Sequence, residues 1–499
     1  MDRRGFLKAG GAASAMALSP WPGRLAFAGQ TADGFTVLRA TGGSAPLLGN
    51  QGGPTPLWAY NGQTPGPEIR ARRGGTVKVR LVNELDQPTT IHWHGIRIDN
   101  AMDGVPDLTQ EAVLPGESFD YEFTVPDAGT FWYHTHNRSW EQMARGLYGP
   151  LIVDGDAEDV EHDLTLIVDD WRLGPDGAID AASFGNMMDW SHAGRLGNWV
   201  TVNGRDSPRF DLAAGTVTRL RLINTANARI FTLAIDGLEM QLAGLDGQVF
   251  DETVVLDTPL TLSPAQRADV IVTPAVPGSH ALMAADRGEQ VAVAQFDVSG
   301  MADAPCAYAV LKPNGLPEPD LGAALAVELL MEGGAMGMMG SAMMGGGGPG
   351  MGRGMGPGSG GGMMGGGGPG MGRGQGGGPD LGMMDMRELV GNGMAWAMNG
   401  VAGMPDKPLF AAKRGQSVRL TMINETRWPH AMHLHGHHFR VLTRDGKPEP
   451  MTPWRDTVTL DPMQRAEIAL LADNPGRWLL HCHMVEHMAS GMMTWFEVA

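Results

Sequence analysis

Three stretches of this chain are variations on one pattern. TVKVRLVNELDQPTTIHWHG, from Thr76, and SVRLTMINETRWPHAMHLHG, from Ser417, each run a strand-like alternation into an Asn, a short polar loop and then His-x-His-Gly. TVTRLRLINTANARIFTLAIDG, from Thr216, keeps the alternation, the Asn and the closing Gly but has no histidine. Recurrence of one such unit predicts three related modules, the middle one bare. Ser118–Val125 shows the same period of two, and helical periodicity is scarce. The fold class is therefore all-β, with β-sandwich domains in series. Boundaries near Asp154 and Lys312 give modules over 29–154, 155–312 and 391–499, with 313–390 as a linker.

That linker is unlike the rest. From Met331 to Met386 there are 14 methionines in a glycine-rich background, and MMGGGGPGMGRG occurs twice, at Met343 and Met363. Such composition cannot bury a core and reads as a flexible insertion. It is either an inert spacer that drifted into repeats or, since thioether sulfur is a soft ligand suited to Cu(I), a device for metal capture. We favour capture.

The N-terminus predicts export. Asp2-Arg3-Arg4-Gly5-Phe6-Leu7-Lys8 is a twin-arginine pattern, followed by a small, apolar run and Ala26-Phe27-Ala28. Cleavage after residue 28 removes four cations and one anion and takes the formal charge from −18 to −21. A balance this acidic excludes nucleic acid as a partner and favours cations. No later apolar run is long enough to span a bilayer, so the expectation is a soluble periplasmic protein that meets the twin-arginine translocation machinery only during export. Of the two cysteines, Cys306 reads as a small buried apolar residue.

Four His-x-His pairs use eight of the 15 histidines: His92/His94, His134/His136, His433/His435 and His481/His483. On a strand each pair offers two imidazoles on one face. Two pairs from the first module and two from the last predict a metal cluster between modules. In HCHMVEHMASGMM, from His481, an extended chain turns Cys482 away from its flanking histidines, toward a second site. His487 and Met492 follow on the next loop, and His430 lies on the preceding strand region. Two His, one thiolate and a weak axial Met make the blue-copper set. Structural zinc usually takes more than one Cys, and iron–sulfur clusters need more than this chain has.

These motifs resemble those of the multicopper oxidases: HWHG at His92, HTH at His134, H-x-x-H-L-H-G at His430, and H-C-H-x-x-x-H-x-x-x-x-M at His481. The resemblance implies three cupredoxin domains, four coppers, and one-electron oxidation of a substrate coupled to reduction of dioxygen to water. By motif match it implies type 1 ligands His430, Cys482, His487 and Met492, with Met493 the axial alternative. His92 and His433 match the type 2 pair, and His94, His134, His136, His435, His481 and His483 the type 3 ligands. Asp103 matches a carboxylate that would deliver protons in bacterial relatives, and is otherwise an ordinary turn aspartate. Asp456, in WRDTV, matches a family motif with a supporting role.

The export signal and the Met-rich insertion resemble those of periplasmic cuprous oxidases of copper tolerance. The chain departs from them at Glu425-Thr426-Arg427-Trp428-Pro429, which lacks methionine, at His430-Ala431, and at Met488. Met383, Met384, Asp385 and Met386 offer an alternative substrate-copper site. The expected activity is Cu(I) oxidation. Laccase-like oxidation of phenols or aromatic amines is the alternative, with His487 beside an open pocket. A copper-free binding protein of the same fold, or an added copper-store role, is a further reading. An insertion that covers the way to His487 favours Cu(I); one that hangs free favours phenols.

Overall fold

Period-two patterning becomes sheet throughout. In the Thr76–Asn83 strand Val77, Val79, Leu81 and Asn83 are buried while the residues between them are not. Fully burying such an apolar side chain contributes roughly 1.5–3 kcal/mol. The Asn that closes each repeat does one job three times. Asn83 donates to the carbonyls of Gln87 and Val113 and accepts from the Leu85 N–H. Asn224 does the same with Arg229, Leu262 and Ala226, and Asn424 with Trp428, Leu460 and Thr426. A buried side-chain amide thus staples the loop that leads into each following strand.

The computed structural model describes residues 31–155, 160, 162–286, 289–300, 311–335 and 394–499. The export segment, Cys306, most of the Met/Gly-rich stretch and its Met383–Met386 portion lie outside those residues. Among the described residues six sheets pair into three sandwiches. Two four-stranded sheets lie within Thr36–Asp154, six- and five-stranded sheets within His162–Ser299, and seven- and five-stranded sheets within Leu325–Val498. The first and third sandwiches share one continuous apolar cluster that runs from Trp93 to Cys482, and the second has its own core.

One element departs from the expected linker over 313–390. Leu325–Gly333 is a strand, parallel to Gln416–Asn424, with Leu325 opposite Val418 and Met331 opposite Asn424. Leu329 and Met331 are fully buried, so this segment belongs to the third sandwich. Its short alternation was masked by the glycine and methionine that follow.

Candidate metal centre

The His92–His94 strand pairs with Gly129–His134, His92 opposite His134 and His94 opposite Trp132. In the third sandwich His430–Leu434 pairs with Gly476–Cys482, His433 opposite His481 and Met432 opposite Cys482. Side chains alternate between faces. His433 and His481 therefore face the first module, while His430 and Cys482 face the other way, as the extended reading of HCH requires. The eight His-x-His imidazoles converge. Ring centroids are 4.0 Å apart for His92 and His435, 3.7 Å for His94 and His433, 5.1 Å for His134 and His483, and 5.4 Å for His136 and His481. Each of these couples joins the first module to the third. All eight are buried.

Proton positions decide what this cluster can hold. His435 Nδ1 lies 2.9 Å from Asp103 Oδ2, and His481 Nδ1 lies 3.0 Å from the Cys482 carbonyl. A carboxylate and a carbonyl accept, so both Nδ1 atoms carry the hydrogen. Both Nε2 atoms are then bare lone pairs, and they face each other at 3.1 Å. Two lone pairs at that distance repel unless a cation sits between them. Five further ring nitrogens, His92 Nε2, His94 Nδ1, His136 Nε2, His433 Nε2 and His483 Nδ1, are buried without a hydrogen-bond partner. Burial, the largest influence, holds His94, His134, His136, His433, His435, His481 and His483 below the usual imidazole pKa, which keeps them neutral and able to ligate. Neutral imidazoles in this number fit copper ions.

The opposite face repeats the logic. His487 Nε2 donates to the His192 carbonyl at 2.7 Å. His430 Nε2 donates to Thr426 Oγ1 at 2.8 Å, because that hydroxyl's own hydrogen goes to Asn424 Oδ1. The two Nδ1 atoms are left bare and 3.1 Å apart, with Cys482 Sγ 3.6 Å from His430 and 3.7 Å from His487. Burial pushes the Cys482 thiol up to about 12, so a soft cation must displace its proton to enter. Met492 is fully buried and its carbonyl accepts from the Cys482 N–H, whereas Met493 is only partly buried on the strand opposite His481. The buried position is the one that suits an axial ligand.

Two acids flank the cluster, both fully buried. Asp103 ends a short turn whose Asp99 accepts from the Ala101 N–H. Its carbonyl accepts from His92 Nδ1, while Oδ1 is left without a hydrogen bond. Gly104 makes this approach possible: its φ is +82°, and a Cβ there would stand 1.9 Å from the Ile91 carbonyl oxygen. Asp456 Oδ1 lies 3.2 Å from His94 Nε2, and its carbonyl accepts from His433 Nδ1. Burial opposes its ionisation. The Arg267 guanidinium, paired to it at 2.9 and 2.6 Å, outweighs that and holds the carboxyl well below its usual range. Gly95, the glycine of HWHG, makes room for this pair, since a Cβ would meet Arg267 Nη2 at 2.3 Å.

The eight His-x-His imidazoles and Asp103 thus lie in one buried group and His430, Cys482 and His487 in another, with Met492 buried and joined to Cys482 through its main chain. Sequence reasoning missed the contributions of the bare middle module: Arg267 and the His192 carbonyl. An arginine opening a wholly buried strand, Arg267–Val272, was a usable signal for the first. A main-chain carbonyl leaves none.

Family profiles described as multicopper oxidase match residues 46–158, 162–313 and 380–499. The multicopper oxidase MmcO of Mycobacterium tuberculosis is 31% identical, the match covering 99% of this chain and 96% of that protein. A copper resistance protein A homolog of Pseudomonas syringae pv. tomato is 28% identical over 87% of each chain. The crystal structure of a multi-copper oxidase from Pseudomonas thermotolerans is similar with a TM-score of 0.75 and 32% identity, covering 93% of this chain and 98% of its own.

Proposed function

The chain belongs to the multicopper oxidase family, and from that premise we propose that it oxidises Cu(I) in the periplasm as a copper-tolerance enzyme. It is an oxygen-dependent oxidoreductase with three cupredoxin-like domains and four coppers, one type 1, one type 2 and two type 3. When bound, these ions supply one-electron oxidation of the substrate at the type 1 site and four-electron reduction of dioxygen to water at the other three.

In our assignment His430, Cys482, His487 and Met492 hold type 1 copper, and His92 and His433 hold type 2. His94, His134, His136, His435, His481 and His483 hold the type 3 pair. The lone pairs that face one another support this reading. The main chain through His481-Cys482-His483 joins the two sites covalently. Asp103 is the acid we assign to protons: Oδ2 rests on His435, and Oδ1, with no hydrogen bond of its own, can take a proton from water and pass it toward the cluster. Asp456, tied to Arg267, orients His94 and His433 and stays ionised.

The closure of His487 carries the cuprous reading. A phenol oxidised by contact needs the outward nitrogen of the type 1 histidine. Here that atom already donates to the His192 carbonyl, and His487 is fully buried. The residues that bracket the Met/Gly-rich stretch also support it. Ala335 donates to the Ser191 carbonyl and accepts from Trp428 Nε1, and Ala395 and Trp396 both donate to the Ser490 carbonyl, three residues past His487. The stretch therefore departs from and rejoins the described fold beside the type 1 site, where captured Cu(I) would be of use. Residues 1–28, read as a twin-arginine signal, and the likeness to a copper resistance protein support export. No helix among the described residues is long and apolar enough to cross a membrane.

Dioxygen uptake by the copper-loaded mature protein tests this, with Cu(I) and a simple phenol compared side by side. We expect rapid uptake with Cu(I) and little with the phenol unless Cu(II) is added. Efficient phenol turnover without added copper would replace this reading with the laccase-like one.

A further inference from the structure

The cover over His487 is a strap from the middle module, the Met187–Ser191 helix and the residues after it. It is firmly anchored. Arg172 grips Asp189 at 2.6 and 3.0 Å, and Trp396 Nε1 donates to the Trp190 carbonyl. Gly194, at φ +80°, packs so closely that a Cβ would meet the Ala228 methyl at 2.3 Å. The strap is a fixed wall, and any electron that enters by way of His487 Nε2 crosses it.

His192 is the residue at the crossing. Its carbonyl is bonded to His487, and its ring is only partly buried, against Trp428 with centroids 5.3 Å apart. Its tautomer follows from its neighbours. Ser191 Oγ gives its hydrogen to the Met187 carbonyl at 2.7 Å, so at 3.0 Å from His192 Nδ1 it must accept, and Nδ1 carries the ring proton. Nε2 is left with a lone pair and makes no hydrogen bond among the described residues. Met188, a thioether 62% exposed, lies on the adjoining Met187–Ser191 helix. An imidazole lone pair and a thioether are the donors a cuprous ion prefers.

We propose that His192 is the docking ligand for the reducing metal ion and the conduit for its electron. This rests on the cuprous reading above. Cu(I) binds His192 Nε2 and loses one electron, which passes through the imidazole and main chain of His192 and the hydrogen bond to His487 into the type 1 ion. The donor leaves as Cu(II). Only the coordinate bond forms and breaks, and no proton moves.

The test is anaerobic bleaching of the blue band by stopped flow in the copper-loaded protein, with Cu(I) as one reductant and ferrocyanide, which reacts without coordination, as the other. In His192→Ala we expect an unchanged blue band and type 1 potential. Bleaching by Cu(I) should slow by about tenfold or more, the scale of one lost contact of about 1.4 kcal/mol, and that by ferrocyanide by less than about twofold. His192→Met, which restores a soft donor, should recover most of the cuprous rate. Cu(I) bleaching of His192→Ala at the wild-type rate would overturn the role of His192 and leave the cuprous reading standing. Equal slowing with both reductants, together with a shifted potential, would mean that His192 only holds the strap. A wild-type protein that phenol bleaches faster than Cu(I) does would overturn the cuprous reading itself.

Discussion

At the scale of single residues, company decides chemistry. Asp103 and Asp456 are equally buried and both touch cluster histidines, yet Arg267 is paired with Asp456, and no arginine or lysine is paired with Asp103 among the described residues. In our proposal Asp456 is thereby fixed as a support, and Asp103 keeps an oxygen available for protons. Cys482 has no such division of labour, for its sulfur is the soft donor between His430 and His487. Cys482→Ser should therefore lose the blue band and turnover together while the cluster histidines stay in place. A serine variant whose visible spectrum stayed blue would remove Cys482 from the type 1 site.

At the scale of elements, the strands carry the ligands and the connections govern access. The Leu325–Gly333 strand and Ala335 are part of the third sandwich and of the strap's anchorage, so an insertion deletion must begin beyond them. Removal of residues 336–378 should lower dioxygen uptake with Cu(I) several-fold and leave uptake with phenol unchanged, because the strap remains. Equal loss of both would count against metal capture by the methionines. The same division explains what could be read in advance. Strand alternation and four His-x-His pairs are local patterns, and they placed both sites and the turn of Cys482 away from its neighbours. The cover over His487 depends on a carbonyl 295 residues away in sequence. The Arg267–Asp456 pair spans 189 residues. Neither has a local period, so only the fold reveals them. The middle module read as bare because it contributes an arginine and a main-chain oxygen rather than histidines.

At the scale of the whole molecule, the metal sites are a liability until filled. Burial, the largest influence, holds His487 down to about 4, against a usual imidazole value of about 6.5. Below pH 6.5 the unfolded chain takes up protons that the folded, metal-free chain refuses, so its stability is intact above that pH and falls as the pH drops toward 4. This one group accounts for roughly 3 kcal/mol by pH 4. The thermal midpoint of the metal-free protein should drop steeply over that window, and copper loading should flatten the decline between pH 6.5 and 5. A midpoint independent of pH in the metal-free protein would mean that this imidazole takes up its proton as readily in the fold as in the unfolded chain.

The cluster couples its two halves residue to residue, His92 with His435, His94 with His433, His134 with His483 and His136 with His481. One half of each couple is made early in synthesis, and the other lies within the last seventy residues. A ribosome must therefore release almost the entire chain before a three-copper site exists at all. A product that stops short of His481 and His483 lacks part of every such site and cannot reduce dioxygen. The molecule becomes dangerous to reductants only when its last strands are in place.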